Sequence, residues 1–440
     1  MAIQQRLQGP APDSVSQETW TSVGSFYQER QAALAWLSTT DTTGAEPALQ
    51  VLRSAPDHGL DPAPHGAAAL TDAAQALATA DATAPDHLER VADLDTRLTA
   101  ALLTFGRDVA VGRLSPTRVT RLWKSERAAP DVGRALAAAS GADVRSFVTA
   151  VQPQHQQYAA LVEAMRRLRE AQDTGTSKRD NAATARRIQQ VALNLERWRW
   201  VRDDFGSRDV IVNIPAQRLY IREDGRVIDE IKVVVGKPDG HQTPVLSSTL
   251  DTIVFSPYWH IPYGIGQEET AVAAGNNPAY LSNKHIEILR NGKVMYEGDI
   301  NWFDPKDLKG LMFRQAPGSE NALGRVKFLF PNPYSVYLHD TPDEGPFGDA
   351  MRALSHGCVR VEAPERLARY VLRGEADWTA ARIETAMAAG RERHVKLREP
   401  ISVHLMYFTA WVDEQGAITF PPDIYGYDAR QLRASGAARR

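Results

Sequence analysis

The spacing of apolar residues changes to a strand-like pattern in the stretch Asp209-Val-Ile-Val-Asn-Ile-Pro-Ala-Gln-Arg-Leu-Tyr-Ile-Arg-Glu-Asp-Gly225. Apolar side chains stand at alternate positions from Val210 to Ile214, the period of two that is typical of a half-buried strand. Asp224-Gly225 between two such runs indicates a tight hairpin, and the chain then returns through Ile231 to Val235. The second half is therefore predicted to be mostly β.

The residues before about 200 follow a different pattern. Ala, Leu, Gln and Arg dominate there, and apolar residues such as Leu94, Leu98 and Leu102 recur at helical spacing. We predict an α+β chain: an all-α domain over 1–200, a β-rich, sandwich-like domain over 201–430, and a tail over 431–440. Residues 263–317 break the strand rhythm and are expected to form an inserted subdomain or lid.

Composition excludes several classes of protein. The 440 residues carry 51 Lys and Arg against 54 Asp and Glu, far from the basic excess of a nucleic-acid binder. No run approaches the roughly 20 apolar residues of a membrane span, so none is predicted. The first residues lack the apolar core of a secretory signal, so the chain is expected to be either cytoplasmic or a form from which a leader has been removed.

The densest group of chemically reactive residues lies in two segments, Tyr337-Leu-His-Asp-Thr-Pro342 and Leu354-Ser-His-Gly-Cys-Val-Arg360. Cys358 is the single cysteine, and a thiol needs a nearby base to become a nucleophile at neutral pH. His339 ends an apolar strand and is assigned as the base that ionises Cys358. Its second ring nitrogen needs an acceptor, either the Asp340 carbonyl or the Asp340 side chain.

Neighbouring residues complete this candidate site. Gly357 allows dihedrals barred to other residues, so the Gly357 and Cys358 amides are expected to face a developing oxyanion. Arg360 suits a substrate carboxylate. Two alternatives stand beside this interpretation: an inert buried cysteine, and a zinc site of His339, His356 and Cys358. The zinc spacing is poor, so we predict no metal and no cofactor.

These motifs carry a resemblance to a known family. His339, nineteen residues before the cysteine, and Ser355-His-Gly-Cys-Val-Arg360 resemble the signature of the L,D-transpeptidase (YkuD) catalytic domain. Asn321-Ala-Leu-Gly-Arg-Val-Lys-Phe-Leu-Phe-Pro-Asn332 and Asn194-Leu-Glu-Arg-Trp-Arg-Trp200 are similar to its YcbB-like proteobacterial branch. The similarity covers about 194–412, with a weaker echo of that branch's scaffold domain in the N-terminal helices.

The resemblance implies a periplasmic cysteine acyltransferase acting on peptidoglycan stem peptides. In this family the thiolate attacks the third stem residue, expels D-Ala and forms a thioester, which an amine resolves to give a 3→3 or a 1→3 cross-link. β-Lactams of the carbapenem class are the expected inhibitors. The resemblance makes Cys358 the nucleophile, His339 the base, Asp340 its orienting partner and Gly357 an oxyanion donor. Four more residues line or brace the site: Tyr337, Ser355, His356 and Arg360.

Some assignments remain open at this stage. Trp259, in Trp259-His-Ile-Pro-Tyr263, either stacks on substrate or belongs to the core. The same chemistry with water as acceptor would make the protein an L,D-carboxypeptidase. A third hypothesis is a non-catalytic scaffold that binds the cell wall through its helices.

Overall fold

The computed structural model describes residues 2–124, 127–139, 143–174 and 178–438, which fold into two compact units. One unit combines Met1–Asp204 with Phe408–Arg440, and the other is Phe205–Tyr407. The first is helical and the second is rich in strands, which confirms the predicted α+β class. Within the described residues, every helix is too short or too polar to cross a bilayer.

The helical unit is built around one long helix. Its first helices are α1 (Ala2–Gln8), α2 (Gln17–Glu29), α3 (Ala45–Arg53), α4 (Ala67–Ala78), α5 (His87–Val111), α6 (Val132–Ala139), α7 (Val144–Val151), α8 (Gln156–Thr174) and α9 (Lys178–Trp198). Helix α5 packs against α1 to α4, α6 and α7. Its apolar stripe, which includes Leu94, Leu98, Leu102 and Phe105, is buried, as the helical spacing predicts.

A buried carboxylate fixes the loop that follows α2. Asp95 on α5 is fully buried and accepts hydrogen bonds from the backbone amides of Ala35, Trp36 and Leu37, each at 2.9 Å. The Tyr27 hydroxyl donates to the same carboxylate. Burial raises the pKa of Asp95, and these hydrogen bonds oppose the rise. Four donors therefore depend on a single side chain.

The second unit contains a strongly curved sheet. Its strands are β1 (Arg208–Asn213), β2 (Arg218–Glu223), β3 (Arg226–Gly236), β4 (Leu246–Phe255), β9 (Val326–Leu329), β10 (Leu338–His339), β11 (Ala353–Ser355), β12 (Val359–Val361) and β13 (Arg393–Met406), interrupted by an insertion described next. Their order is β11-β3-β12-β10-β9-β4-β13-β1-β2. Strand β3 also pairs with β2, so the sheet curls back on itself. The β2–β3 hairpin turns at Asp224-Gly225, as predicted, with both residues at positive φ.

The insertion between β4 and β9 is a small α+β subdomain. A four-stranded antiparallel sheet, in the order β5 (Trp259–Ile261), β8 (Met312–Gln315), β6 (Ile286–Arg290) and β7 (Lys293–Met295), packs on helices around its own core. The insertion's elements are β5 (Trp259–Ile261), α10 (Tyr263–Ile265), a π-helical turn (Gly266–Thr270), α11 (Ala271–Asn276), α12 (Tyr280–Asn283), β6 (Ile286–Arg290), β7 (Lys293–Met295), α13 (Pro305–Leu308) and β8 (Met312–Gln315). The subdomain begins four residues before the predicted boundary, because β5 at Trp259 pairs with β8 at Gln315.

Two helices follow the catalytic segments, and then the chain returns to the helical unit. Helices α14 (Pro364–Val371) and α15 (Ala380–Ala388) pack against each other. After β13 come β14 (Trp411–Val412), β15 (Ile418–Thr419) and α16 (Tyr427–Ala438). The boundary predicted at 430 and the tail predicted over 431–440 are both wrong here. Residues from Phe408 onward belong to the helical unit, and helix α16 continues to Ala438.

Buried polar contacts explain this return. Asn194 and Thr409 exchange hydrogen bonds, and the buried Arg197 guanidinium donates to Asp428 at 2.6 Å and to Gln431 at 2.9 Å. A buried arginine without these partners would be strongly destabilising, so α16 is part of the helical core.

We expect Asp95→Ala to lower the free energy of unfolding by about 3 kcal/mol, because four buried donors lose their acceptor. Hydrogen exchange should report the loss locally, as faster exchange of the amides of Ala35 to Leu37. The control is Asp93→Ala on the same helix. Its carboxylate is partly exposed and pairs with Arg6, so it should change stability by about 1 kcal/mol or less. Unchanged protection of the three amides in Asp95→Ala would contradict this account.

Candidate active site

The site lies on one face of three neighbouring strands. Leu338 pairs with Phe328 of β9 and with Val359 of β12, and all three side chains are buried in the core. His339 pairs with Arg360 in the same parallel register, and the Val359 amide donates to the Tyr337 carbonyl at 3.1 Å. Side chains alternate along a strand, so His339 and Arg360 share the opposite face with Tyr337 and Cys358. The register therefore sets His339 level with Arg360 and places Cys358, two residues earlier on the same face, diagonally from His339 and level with Tyr337.

His339 is held in one orientation. Its Nδ1 donates to the Asp340 carbonyl at 2.5 Å, which leaves the Nε2 lone pair as the basic position. The side chain is buried, and burial lowers its pKa to about 3, assisted by the nearby Arg360 and Lys327 charges. The imidazole is therefore neutral at physiological pH.

The Asp340 side chain has a different task from its carbonyl. One carboxylate oxygen accepts from the Arg325 amide at 2.8 Å and the other accepts from the Thr341 amide at 2.8 Å. Gly324 has φ of +60°, and a Cβ there would lie 2.4 Å from the Asp340 carboxyl carbon. Of the two acceptors that the sequence left open, the structure uses the carbonyl for His339, and the side chain fixes the ends of β9 and β10.

Cys358 is a half-buried thiol rather than a preformed thiolate. Burial raises its pKa, while the backbone and hydroxyl of Tyr337 and the Arg360 charge oppose that rise. Burial thus favours the neutral thiol of Cys358 as well as the neutral imidazole of His339, so the resting pair is uncharged.

The turn before the cysteine is braced from within. Ser355 Oγ donates to the Cys358 carbonyl at 2.5 Å and accepts from the Gly357 amide at 3.1 Å. Thr243 Oγ1 donates to the Gly357 carbonyl at 2.8 Å, and Gly357 has φ of +116°. The Gly357 amide is thus already used, which differs from the predicted pair of oxyanion donors. Among the residues that the structure describes, the Cys358 amide has no acceptor and remains available for that role.

The Cys358 sulfur is linked through Tyr337 to Trp259. The Tyr337 hydroxyl interacts with the Cys358 side chain, and the Trp259 indole interacts with the same hydroxyl. Trp259 also packs against the core of the inserted subdomain. The sequence left open whether Trp259 stacks on substrate or belongs to a core. In the structure it packs on the core of the inserted subdomain, and its indole also contacts the Tyr337 hydroxyl.

His356 is held by the inserted subdomain. Its Nε2 lies 2.8 Å from a Glu269 carboxylate oxygen in the π-helical turn, and its ring meets the His241 ring edge-on at 4.7 Å. The imidazole that the sequence assigned to substrate thus has a protein partner. The contact with Glu269 was not predicted, because nothing local in the sequence pairs positions 269 and 356.

Two cations flank the base. Arg360 is half-buried, and among the described residues it forms no hydrogen bond or ion pair with a side chain, although the Asp343 charge acts on it from a distance. Lys327 of β9 pairs with His339 from the other side. The sequence analysis missed Lys327, although its place between Val326 and Phe328 on an alternating strand gave a signal.

The geometry also bears on the zinc alternative. Across the described ranges, no three His, Cys, Asp or Glu side chains converge as metal ligands would. His356 turns to Glu269, while His339 is tied to the Asp340 carbonyl. The three proposed ligands do not form a coordination site.

Comparison with known families assigns the strand-rich unit. Residues 207–383 match the model of the L,D-transpeptidase catalytic domain, YkuD, and residues 21–165 match a model described as Scaffold domain. Residues 207–383 thus have the sequence pattern of the L,D-transpeptidase catalytic domain. The match includes both Cys358 and His339, and the resemblance inferred from the motifs is confirmed.

Three individual proteins are similar to parts of this chain. A Haemophilus influenzae protein named “Putative L,D-transpeptidase” is 38% identical over 258 residues, which are 58% of this chain and 50% of that protein. The chain thus spans half the length of this curated relative. A solved L,D-transpeptidase from Mycobacterium smegmatis is 16% identical over 45% of this chain and 58% of its own, with TM-score 0.22. The Ldtfm-avibactam carbamoyl enzyme is 12% identical over 52% and 63%, with TM-score 0.21.

The uncharged resting pair predicts how Cys358 reacts with iodoacetamide. Because the pKa of the thiol is raised, its thiolate fraction should rise about tenfold per pH unit between pH 6 and 8, and alkylation should rise with it. Intact mass measures the rate without interference, since the sequence holds a single cysteine. A rate that is constant over this range would indicate a preformed thiolate–imidazolium pair and would contradict the assignment.

The Tyr337 contact predicts a second effect. Tyr337→Phe removes the hydroxyl that interacts with the sulfur, so acylation of Cys358 by a carbapenem should slow roughly tenfold, the cost of one hydrogen bond to a charged group. Trp259→Phe should slow it less, because the indole acts only through Tyr337. Equal rates for wild type and Tyr337→Phe would show that the hydroxyl does not stabilise the forming thiolate.

Proposed function

We propose that this chain is a peptidoglycan L,D-transpeptidase in which Cys358 is acylated by a stem tetrapeptide and the acyl group passes to an amine. The observation that carries the proposal is the shared register of β10 and β12. It puts His339, tied through Nδ1 to the Asp340 carbonyl, on the same face as Cys358 and diagonal to it, which supports a base and a nucleophile that act together. The family match supports the same chemistry.

Acylation begins with the uncharged pair. As Sγ of Cys358 attacks the carbonyl carbon of the third stem residue, Nε2 of His339 takes the thiol proton. The Tyr337 hydroxyl stabilises the sulfur as it gains charge, and the Cys358 amide donates to the oxyanion. Collapse of the tetrahedral intermediate breaks the C–N bond, and His339 returns the proton to the nitrogen of the departing D-Ala.

The second step reverses this order with a new amine. The amine of an acceptor stem attacks the thioester carbon, the C–S bond breaks, and His339 carries the amine proton to the sulfur. With the diaminopimelate amine as acceptor the product is a 3→3 cross-link, which is the reaction proposed here. No step calls for a metal or a cofactor.

Arg360 completes the donor site in this proposal. Its guanidinium lies on β12, two residues after Cys358, forms no ion pair among the described residues, and suits a carboxylate on the acyl side of the stem. The substrate also sets the compartment, since peptidoglycan stems are cross-linked in the periplasm. Carbapenems, which acylate the same sulfur, are the proposed inhibitors.

The decisive experiment incubates the protein with a disaccharide-tetrapeptide and follows the products by mass spectrometry. We expect release of D-Ala and appearance of a tetrapeptide–tripeptide dimer. Cys358→Ala should abolish both, and His339→Gln should slow both by roughly 10²–10⁴. Tripeptide without dimer would favour the hydrolase. Activity retained in Cys358→Ala would sink the proposal.

A further inference from the structure

Lys327 lies on the same face of the sheet as His339, on the neighbouring strand β9. Val326 and Phe328 on either side of it are buried in the core, so the Lys327 side chain lies on the opposite face of β9. In register it stands opposite His339, which in turn stands opposite Arg360. A row of cation, imidazole and cation therefore crosses three adjacent strands.

The Lys327 ammonium forms no ion pair with a carboxylate of the described residues. Its Nζ donates to the Tyr258 carbonyl at 3.2 Å, and the nearest anionic influence on it, Glu392, acts from beyond ion-pair distance. Other lysines of this sheet are paired, Lys232 with Glu362 at 3.0 Å and Lys396 with Asp251 at 2.6 Å. A half-buried ammonium with unused donors, facing a catalytic site, is suited to an anion that arrives with the substrate.

The order of the strands indicates which anion that is. In the proposed reaction the acyl carbon lies at Cys358 on β12, and the nitrogen of the departing D-Ala lies at His339 on β10, which must protonate it. Lys327 is on β9, one strand further in the same direction, at a spacing of about 4.8 Å. The carboxylate of D-Ala is attached to the carbon that bears this nitrogen, so it points beyond the base.

We propose that Lys327 binds the α-carboxylate of the D-amino acid whose nitrogen lies at His339. This inference rests on the proposed function and specifies its leaving-group and acceptor subsite. It applies to both steps, because the attacking amine of diaminopimelate also shares its carbon with a carboxylate. One ammonium then holds D-Ala as it leaves and the acceptor as it enters.

The test is an exchange reaction with matched acceptors. Tetrapeptide donor is incubated with either D-methionine or D-methioninamide, which differ only in the carboxylate, and replacement of D-Ala is measured by mass spectrometry. Wild type should prefer D-methionine. Lys327→Met should reduce this preference about 10–100-fold, the range for a charge-assisted hydrogen bond, while D-methioninamide transfer changes little.

Two further variants separate charge from structure. Lys327→Arg keeps a cation and should restore most of the preference. Lys396→Met, which removes a lysine paired with Asp251 on the same sheet, should leave the preference unchanged. An effect of Lys327 on the base alone would slow both acceptors equally, so the ratio isolates the carboxylate.

The outcomes are distinct. A preference that persists in Lys327→Met, or a wild type that uses both acceptors equally, overturns the inference while leaving transpeptidation intact. Equal loss with both acceptors in Lys327→Met also overturns it and assigns Lys327 to the base or the fold. A wild type that never releases D-Ala overturns the proposed function itself.

Discussion

Strand β10 is only two residues long, and the whole site depends on how it is held. It pairs antiparallel with β9 on one side and parallel with β12 on the other. A slip of one residue in either pairing would turn His339 into the core and Leu338 towards substrate, because side chains alternate with a period of two. The buried row of Leu338, Phe328 and Val359 makes such a slip costly, since it would expose apolar area and bury an imidazole. Core packing on one face thus sets catalytic geometry on the other.

The loops around β10 and β12 are fixed by polar contacts rather than by apolar packing. The Asp340 carboxylate ties the residue before β9 to the residue after β10, and it approaches so closely that residue 324 must lack a Cβ. Ser355 and Thr243 clamp the turn at Gly357 in the same way. These groups hold the segments that carry Cys358 and His339, and the inserted subdomain adds its own contacts through Trp259 and Glu269.

Sequence reasoning succeeded where the signal was local. Alternation from Val210 to Ile214, the Asp224-Gly225 turn and the Cys358 motif are each readable within a few residues, and they led to the α+β class and to the catalytic family. It failed where the deciding contact joins distant positions. The tail over 431–440 looked free because the buried Arg197 that orders it lies more than 230 residues earlier. Lys327 was passed over because only the register of three strands shows that it faces His339, and the Gly357 amide was counted as free because Ser355 Oγ cannot be placed from sequence.

Burial also sets the protonation states of Cys358 and His339 before substrate binds. In an exposed site a cysteine and a histidine share a proton readily, but here desolvation moves their pKa values apart, so that both are uncharged at rest. A neutral thiol is a poor nucleophile, and it is protected from casual alkylation and oxidation. The two flanking cations, Arg360 and Lys327, disfavour an imidazolium until an anion arrives. A substrate that brings carboxylates to both cations would lower that electrostatic cost and allow His339 to accept the proton. On this view the charge of the donor substrate is part of the switch that activates the sulfur.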